Sequence, residues 1–382
     1  MINRIVLFFF LTVISLNAVK GQQKDTLLAA LDTAKNEHRV KALNELFRAH
    51  INSDPVKAIG YTREALILAT SLNDKKGMAA SYNNLGVSYK NQGVLDKSLE
   101  YYIRSLTIYE SIANKEGIAT SKNNISTIYS IKGDYGQAMK YLEESYAQFL
   151  QLGDKTNIVG SLNNLGNLHV DLQLYEKAMR YFSQAYQLSA ELGQPFSDPI
   201  INIGNVFCKE GQYQRALEHY LKALDLERNS NNRLGMLNTL TNIGIAYTKA
   251  KQPKLAQQYL NEAEKLAVEL QAYSFIPSIL KNNSENLFRL GAVKDAYLTL
   301  LKYDSVRETI YGEESSRNIA QMEITLTIQE KEKEYEMLKK ESEIKTLELK
   351  YTRLFISMLV LAVLVILASI NFIYMGKRKK FL

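Results

Sequence analysis

The sequence predicts an all-α protein: a solenoid of about seven helical hairpins, then a long charged helix, then one apolar helix. Three observations carry this. A near-identical phrase returns every forty residues, as "SYNNLGVSYKNQG" at 81–93, "SKNNISTIYSIKG" at 121–133 and "SLNNLGNLHVDLQ" at 161–173. Within the phrases, apolar positions fall at i, i+3, i+4 and i+7, the spacing of one helix face. A chain of 382 residues with only five prolines is also too long for one compact core and poor in helix breakers.

Residues 1–21, "MINRIVLFFFLTVISLNAVKG", have a basic start, an apolar run from Ile5 and a modest-sized ending, the layout of a secretory signal peptide or an uncleaved anchor. Residues 22–36 are expected to lead into the first hairpin. The formal net charge of +7 is misleading, because Arg4, Lys20, Lys377, Arg378, Lys379 and Lys380 supply six of it and leave +1 for residues 22–376. A basic nucleic-acid surface is therefore not expected. Cys208 is the single cysteine, so no intrachain disulfide forms.

The solenoid is expected over 37–312, in units near 37–76, 77–116, 117–156, 157–194, 195–234, 235–274 and 275–312. Aligned on the glycine of "NNLG", the register runs Gly86, Ser126, Gly166, Gly204, Gly244 and Ser284. Twelve residues on stand Ser98, Ala138, Ala178, Ala216, Ala256 and Ala296, and seven after those Ser105, Ser145, Ala185, Ala223 and Ala263. Small residues in register allow helices to approach closely. The row Tyr102, Leu142, Phe182, Tyr220, Leu260 and Leu300 supplies the bulk that fills the gaps. Gly93, Gly133, Gly211 and Gly291 mark the turns inside hairpins, and Ala58 and Ala65 place an earlier, degenerate unit.

"NLGVSYKNQGVLDKSLEYYIRSL" and "NIGNVFCKEGQYQRALEHYLKAL" resemble the tetratricopeptide repeat family, in a longer variety of about forty residues. The resemblance implies a concave groove, lined by first helices, that holds peptides or partner segments.

Two asparagine rows bear on that groove. The unbroken row Asn84, Asn124, Asn164, Asn202, Asn242 and Asn282 lies at the edge of the buried face and suits hydrogen bonds to a neighbouring repeat. The other row varies: Asn83, Asn123, Asn163, then Ile201, Thr241 and Lys281, with Asn167 and Asn205 one turn on. A helical wheel sets Asn83 opposite the core. Asn83, Asn123, Asn163, Asn167, Asn205 and Lys281 are accordingly the candidate groove residues, since amides both donate to and accept from a peptide backbone. A plain solvated face is the competing reading.

From 313 to 353 the repeat pattern stops and a charged helix follows. Ile319, Met322 and Leu326, and again Ile344, Leu347, Tyr351 and Leu354, keep heptad spacing around a charged centre, an imperfect coiled coil suited to a parallel homodimer. Phe355–Tyr374 then give twenty uncharged residues, about 30 Å of helix, enough for a bilayer's hydrocarbon core. A transmembrane helix is expected over 354–375 and a basic cytoplasmic tail over 376–382, with the solenoid periplasmic. This order of parts resembles the sensory half of tetratricopeptide sensor histidine kinases and related membrane regulators of the Bacteroidota, without an output domain.

His38, His50, His169 and His219 form no metal-ligand spacing, and no phosphate loop or nucleophile elbow is present. No catalytic residue, cofactor, metal or nucleic-acid partner is expected. The expectation is a membrane-anchored exported protein that binds peptides or proteins, as a sensor or signalling scaffold; a structural envelope scaffold and a truncated regulator are the alternatives.

Overall fold

The computed structural model describes residues 31, 35–193 and 195–378. The expected signal peptide and the tail beyond Arg378 lie outside the described residues. Contacts divide the chain into two units, Met1–Met322 and Glu323–Leu382.

The first unit is an all-α stack. Its helices are α1 (Asn36–His50), α2 (Pro55–Leu72), α3 (Lys75–Asn91), α4 (Leu95–Ser111), α5 (Lys115–Ile131), α6 (Tyr135–Leu152) and α7 (Lys155–Asp171). They continue as α8 (Tyr175–Glu191), α9 (Asp198–Lys209), α10 (Tyr213–Asn229), α11 (Arg233–Lys249), α12 (Pro253–Glu269), α13 (Ile276–Arg289) and α14 (Val293–Tyr311). Odd and even neighbours pack most extensively and form hairpins, and each hairpin also packs on the next.

Local chemistry sets the ends of these helices. Asp54, Asp74, Asn114, Asp134, Asp154 and Asn232 each accept the backbone N–H three residues on, at 2.8–3.1 Å, satisfying a donor the helix leaves open. Most of these helices end in a left-handed residue. Glycine supplies it at Gly93, Gly133 and Gly211, but Ala113 (φ 52°), Gln173 (φ 60°) and Lys251 (φ 59°) take the same conformation with a Cβ present.

Inside the hairpins the small and large rows meet. Gly86 lies against the ring of Tyr102, Gly166 against Phe182, Gly204 against Tyr220 and Gly244 against Leu260, so close that a Cβ at any of the four would overlap its partner. Where Ser126 stands in place of glycine, the opposing residue is the ringless Leu142. The small serines also cross between helices: Ser98 Oγ donates to Gly86 O at 2.7 Å, Ser105 Oγ to Ala79 O at 2.9 Å and Ser145 Oγ to Ala119 O at 2.8 Å. Leu300 departs from its row. It is 41 % exposed, because α14 ends the stack of hairpins.

The second unit continues α15 (Glu313–Arg378), one helix without a break between the charged and apolar stretches. Ile344, Leu347, Tyr351 and Leu354 are exposed along it. Among the described residues no helix is long and apolar enough to cross a membrane. Of the expected span, the side chains of Val365, Ala368 and 370–375 lie outside the description.

Two stability outcomes follow from this packing. Gly166→Ala forces the fully buried Phe182 ring aside and should destabilise the solenoid by about 1–3 kcal/mol, read as a lower urea midpoint. Ala113→Gly relieves a left-handed alanine and should stabilise the solenoid by about 0.5–1 kcal/mol after the greater freedom of glycine in the unfolded chain is offset, read as a higher urea midpoint.

Candidate peptide-binding face

Curvature identifies the inner face. Successive first helices of the hairpins touch one another, α1 with α3, α5 with α7, α7 with α9 and α11 with α13, whereas no two successive second helices approach as closely. First helices therefore line the concave side. On α3 the half-buried positions Ala80, Asn83, Val87 and Lys90 follow at intervals of three, four and three residues, one face of the helix. The corresponding wall on α5 is Thr120, Asn123, Thr127 and Ser130, and on α7 it opens at the exposed Gly160, where a Cβ would meet nothing within 4 Å. Burial lowers the pKa of Lys90 at one end of this wall.

The two asparagine rows bond to each other across repeats. Asn124 Nδ2 donates to Asn83 Oδ1 at 2.7 Å, Asn164 Nδ2 to Asn123 Oδ1 at 2.9 Å, and Asn202 Nδ2 to Asn163 Oδ1 at 3.5 Å. The regular partners are 41 residues apart; at the short junction before α9 the separation falls to 39 and the bond is longest. Asn205 Nδ2 donates to Asn202 Oδ1 at 3.4 Å, and Asn205 Oδ1 accepts the Tyr220 hydroxyl at 2.7 Å. Asn84 finds Leu43 at the regular position and donates instead to Asn44 Oδ1 at 2.8 Å.

The ladder stops where its acceptors stop. The residue 41 before Asn242 is Ile201, which has no side-chain carboxamide, and Asn282 turns back to Ser278 O of its own helix at 2.7 Å. A different device joins the last two hairpins. Buried Asn286 donates to Pro253 O at 2.9 Å and Gln257 Oε1 at 3.0 Å, while Gln257 Nε2 donates to Asn283 Oδ1 at 2.6 Å.

The variable row is thus less open than a helical wheel suggests. Asn83 and Asn123 are half-buried, and Asn163, Ile201 and Thr241 are buried, because the neighbouring first helix closes over them. Asn167 and Lys281 are exposed and Asn205 is half-buried. Asn238, on the inner face of α11, is exposed as well and was not among the sequence candidates; it falls forty residues before Ser278 in a row that holds Ala80, Thr120 and Gly160 and, forty residues before Asn238, the exposed Asp198.

Two further features had weak sequence signals. Aromatic rings twelve residues apart stack within hairpins, Tyr89 on Tyr101 at 5.4 Å, Tyr129 on Tyr141 at 5.7 Å and Tyr247 on Tyr259 at 5.5 Å, with His169 on Tyr181 at 5.0 Å as a variant. Glu227 is buried in the row that holds Tyr109 and Phe149 elsewhere, and accepts the Ser197 hydroxyl at 2.8 Å. Burial raises its carboxyl pKa; the hydrogen bond from Ser197 and the neighbouring Thr239 hydroxyl oppose this, and the nearby Asp198 adds to it. Among the described residues no group of three or more His, Cys, Asp or Glu gathers for a metal.

Residues 77–151 and 197–267 match one family model and 159–192 another, both described as tetratricopeptide repeat. These segments are tetratricopeptide repeats. None of the curated proteins matches the chain. Among solved structures, the tetratricopeptide solenoid is similar to a Rap protein complexed with competence and sporulation factor, at 15 % identity, TM-score 0.60, over 76 % of this chain and 80 % of that one. It is similar to aspartyl phosphate phosphatase F from Bacillus subtilis at 16 % identity, TM-score 0.53, over 78 % and 75 %. A Rap conjugation gene regulator in complex with the Phr* peptide is similar at 18 % identity, TM-score 0.53, over 72 % and 74 %. At these identities the likeness is one of fold.

The ladder makes a contrast that denaturation can read. Asn123→Ala leaves Asn164 without its acceptor and should cost about 1–2 kcal/mol, whereas Asn282→Ala, which breaks only a bond within its own helix, should cost less than about 0.5 kcal/mol. For Glu227 the folded state holds its proton more tightly than the unfolded state does. Its contribution is therefore greatest below the ordinary glutamate value of about 4.3 and declines as pH rises through the raised folded value. Glu227→Gln should raise the midpoint at pH 7 and flatten that decline, measured by urea titrations across pH.

Proposed function

We propose that this protein is a membrane-anchored, exported binding protein whose inner face holds an extended peptide or protein segment, serving as a sensor or signalling scaffold and not as an enzyme. The observation that carries the binding role is the wall of first helices. It presents carboxamides at Asn167, Asn205 and Asn238 beside small residues such as Thr120, Gly160 and Ser278. A main chain laid along such a wall finds both donors and acceptors without regard to its side chains. The ladder amides of Asn83, Asn123 and Asn163 retain N–H groups while their oxygens hold the next repeat.

The anchor is supported by the sequence of α15, in which Phe355–Tyr374 carry no charge and Lys377 and Arg378 follow directly. Residues around Ile344, Leu347, Tyr351 and Leu354 expose a heptad seam in the single chain, which a parallel partner would cover. Export of the solenoid follows from the leader-like start and the basic tail.

Two measurements test this reading. The full chain should remain in the membrane pellet after alkaline carbonate extraction, and deletion of 354–375 should release it. A photo-crosslinking residue at Asn167 should capture a peptide or protein in cells that the same residue at Glu143, on the outer helix α6, does not; equal capture at both positions defeats the inner-face assignment.

A further inference from the structure

The first and last repeats meet. The backbone N–H of Ser274, in the short 3-10 turn Tyr273–Phe275 before α13, donates to Asn52 O at 3.1 Å. The Ser274 hydroxyl donates to Asn52 Oδ1 at 3.4 Å, across 222 residues of chain. Asn52 belongs to the turn between α1 and α2, at the tip of the first hairpin, and Ser274 lies at the junction of the sixth and seventh. A stack whose neighbours contact only neighbours has no reason to bond over such a distance unless its superhelix has completed a turn. The turn of the first hairpin also sits where a contact can form: Ile51, Asn52 and Ser53 are half-buried although they are loop residues.

We propose that the bond between Asn52 and Ser274 is a latch that closes the solenoid on itself, so that the inner face is the wall of an enclosed passage. Its occupant is an extended polypeptide that enters by a free end. A folded domain, or a loop held at both ends, is excluded while the latch is shut. This rests on the reading of the inner face as peptide-binding and narrows it to one class of ligand. The contact consists of one main-chain hydrogen bond of ordinary length, 3.1 Å, and one longer hydroxyl contact of 3.4 Å. It holds regardless of most side-chain changes and is weak enough to open.

Closure is tested first without any ligand, in the full chain with Cys208→Ser. The pair Asn52→Cys and Ser274→Cys should form a disulfide under mild oxidation, seen as a mobility shift on a non-reducing gel, and should not do so in urea. Gln92→Cys, the matching position of the next hairpin tip, should not link to Ser274→Cys. Failure of the first pair, or equal linking of both pairs, overturns the latch. In a separate variant, Asn167→Cys should react with a small maleimide but several-fold more slowly with a protein-sized one, relative to Glu143→Cys on the outside. Ser274→Pro, which removes the bonded N–H, should erase the difference; the same ratio at Asn167→Cys and Glu143→Cys refutes enclosure. With the cysteine pair oxidised, a library of free linear peptides should be captured and the same library displayed in the loop of a folded carrier should not. Capture of both refutes the ligand class. Capture of neither overturns the peptide reading, while the disulfide still reports on the latch.

Discussion

Everything in the solenoid depends on how near two helices of one hairpin can come. That distance is fixed where a residue without a side chain faces a ring, as at Gly86 and Tyr102 or Gly166 and Phe182. The ring fills the space that the missing Cβ concedes, and the interior keeps the density of a solid. Once this spacing is set, the apolar faces left over point outward along the stack and can be covered only by another hairpin of the same spacing. Repetition in the sequence is thus the imprint of one contact made again and again, and the polar inner wall is what remains when all such faces are covered.

The asparagines occupy the seam between those covered faces. Each repeat places two amides side by side, one turned back to the previous repeat and one offered to the next. Asn124 and Asn123 show the division: the first donates backward to Asn83, and the second accepts from Asn164. This also accounts for one row being unbroken while the other varies. A donor without its acceptor can find another oxygen nearby, as Asn282 does with Ser278 O. Ile201 and Thr241 are buried positions whose repeats are joined by other means, among them the Gln257 and Asn286 cluster.

The fold was legible in the sequence because its determining contact recurs at a constant interval, and a helix face can be read from a single helix. The seam was legible only in part. An angle on a helical wheel gives direction within one helix and says nothing of the twist that brings the next helix over it; Asn163 therefore looks outward on paper and is buried in the solenoid. The buried Glu227 and the left-handed Ala113, Gln173 and Lys251 break the rules that a reading by residue type relies on, carboxylates outside and glycine at positive φ. Asn44 could have been found by extending the register back forty residues from Asn84. The meeting of Asn52 with Ser274 could not, since no local pattern marks two turns that far apart.

The uneven reach of the amide ladder has a mechanical side. From the first hairpin to the fifth, each interface carries a polar strut in addition to its oil, and a strut resists sliding in a way that apolar contact does not. Between the fifth and sixth hairpins, where Ile201 stands 41 residues before Asn242, the amide strut gives way to an exposed ion pair, Arg228 with Glu262 at 3.7 Å, which resists little. Bending imposed on the coil will concentrate there. The coil is therefore a stiff arc with one compliant joint, placed just short of its far end.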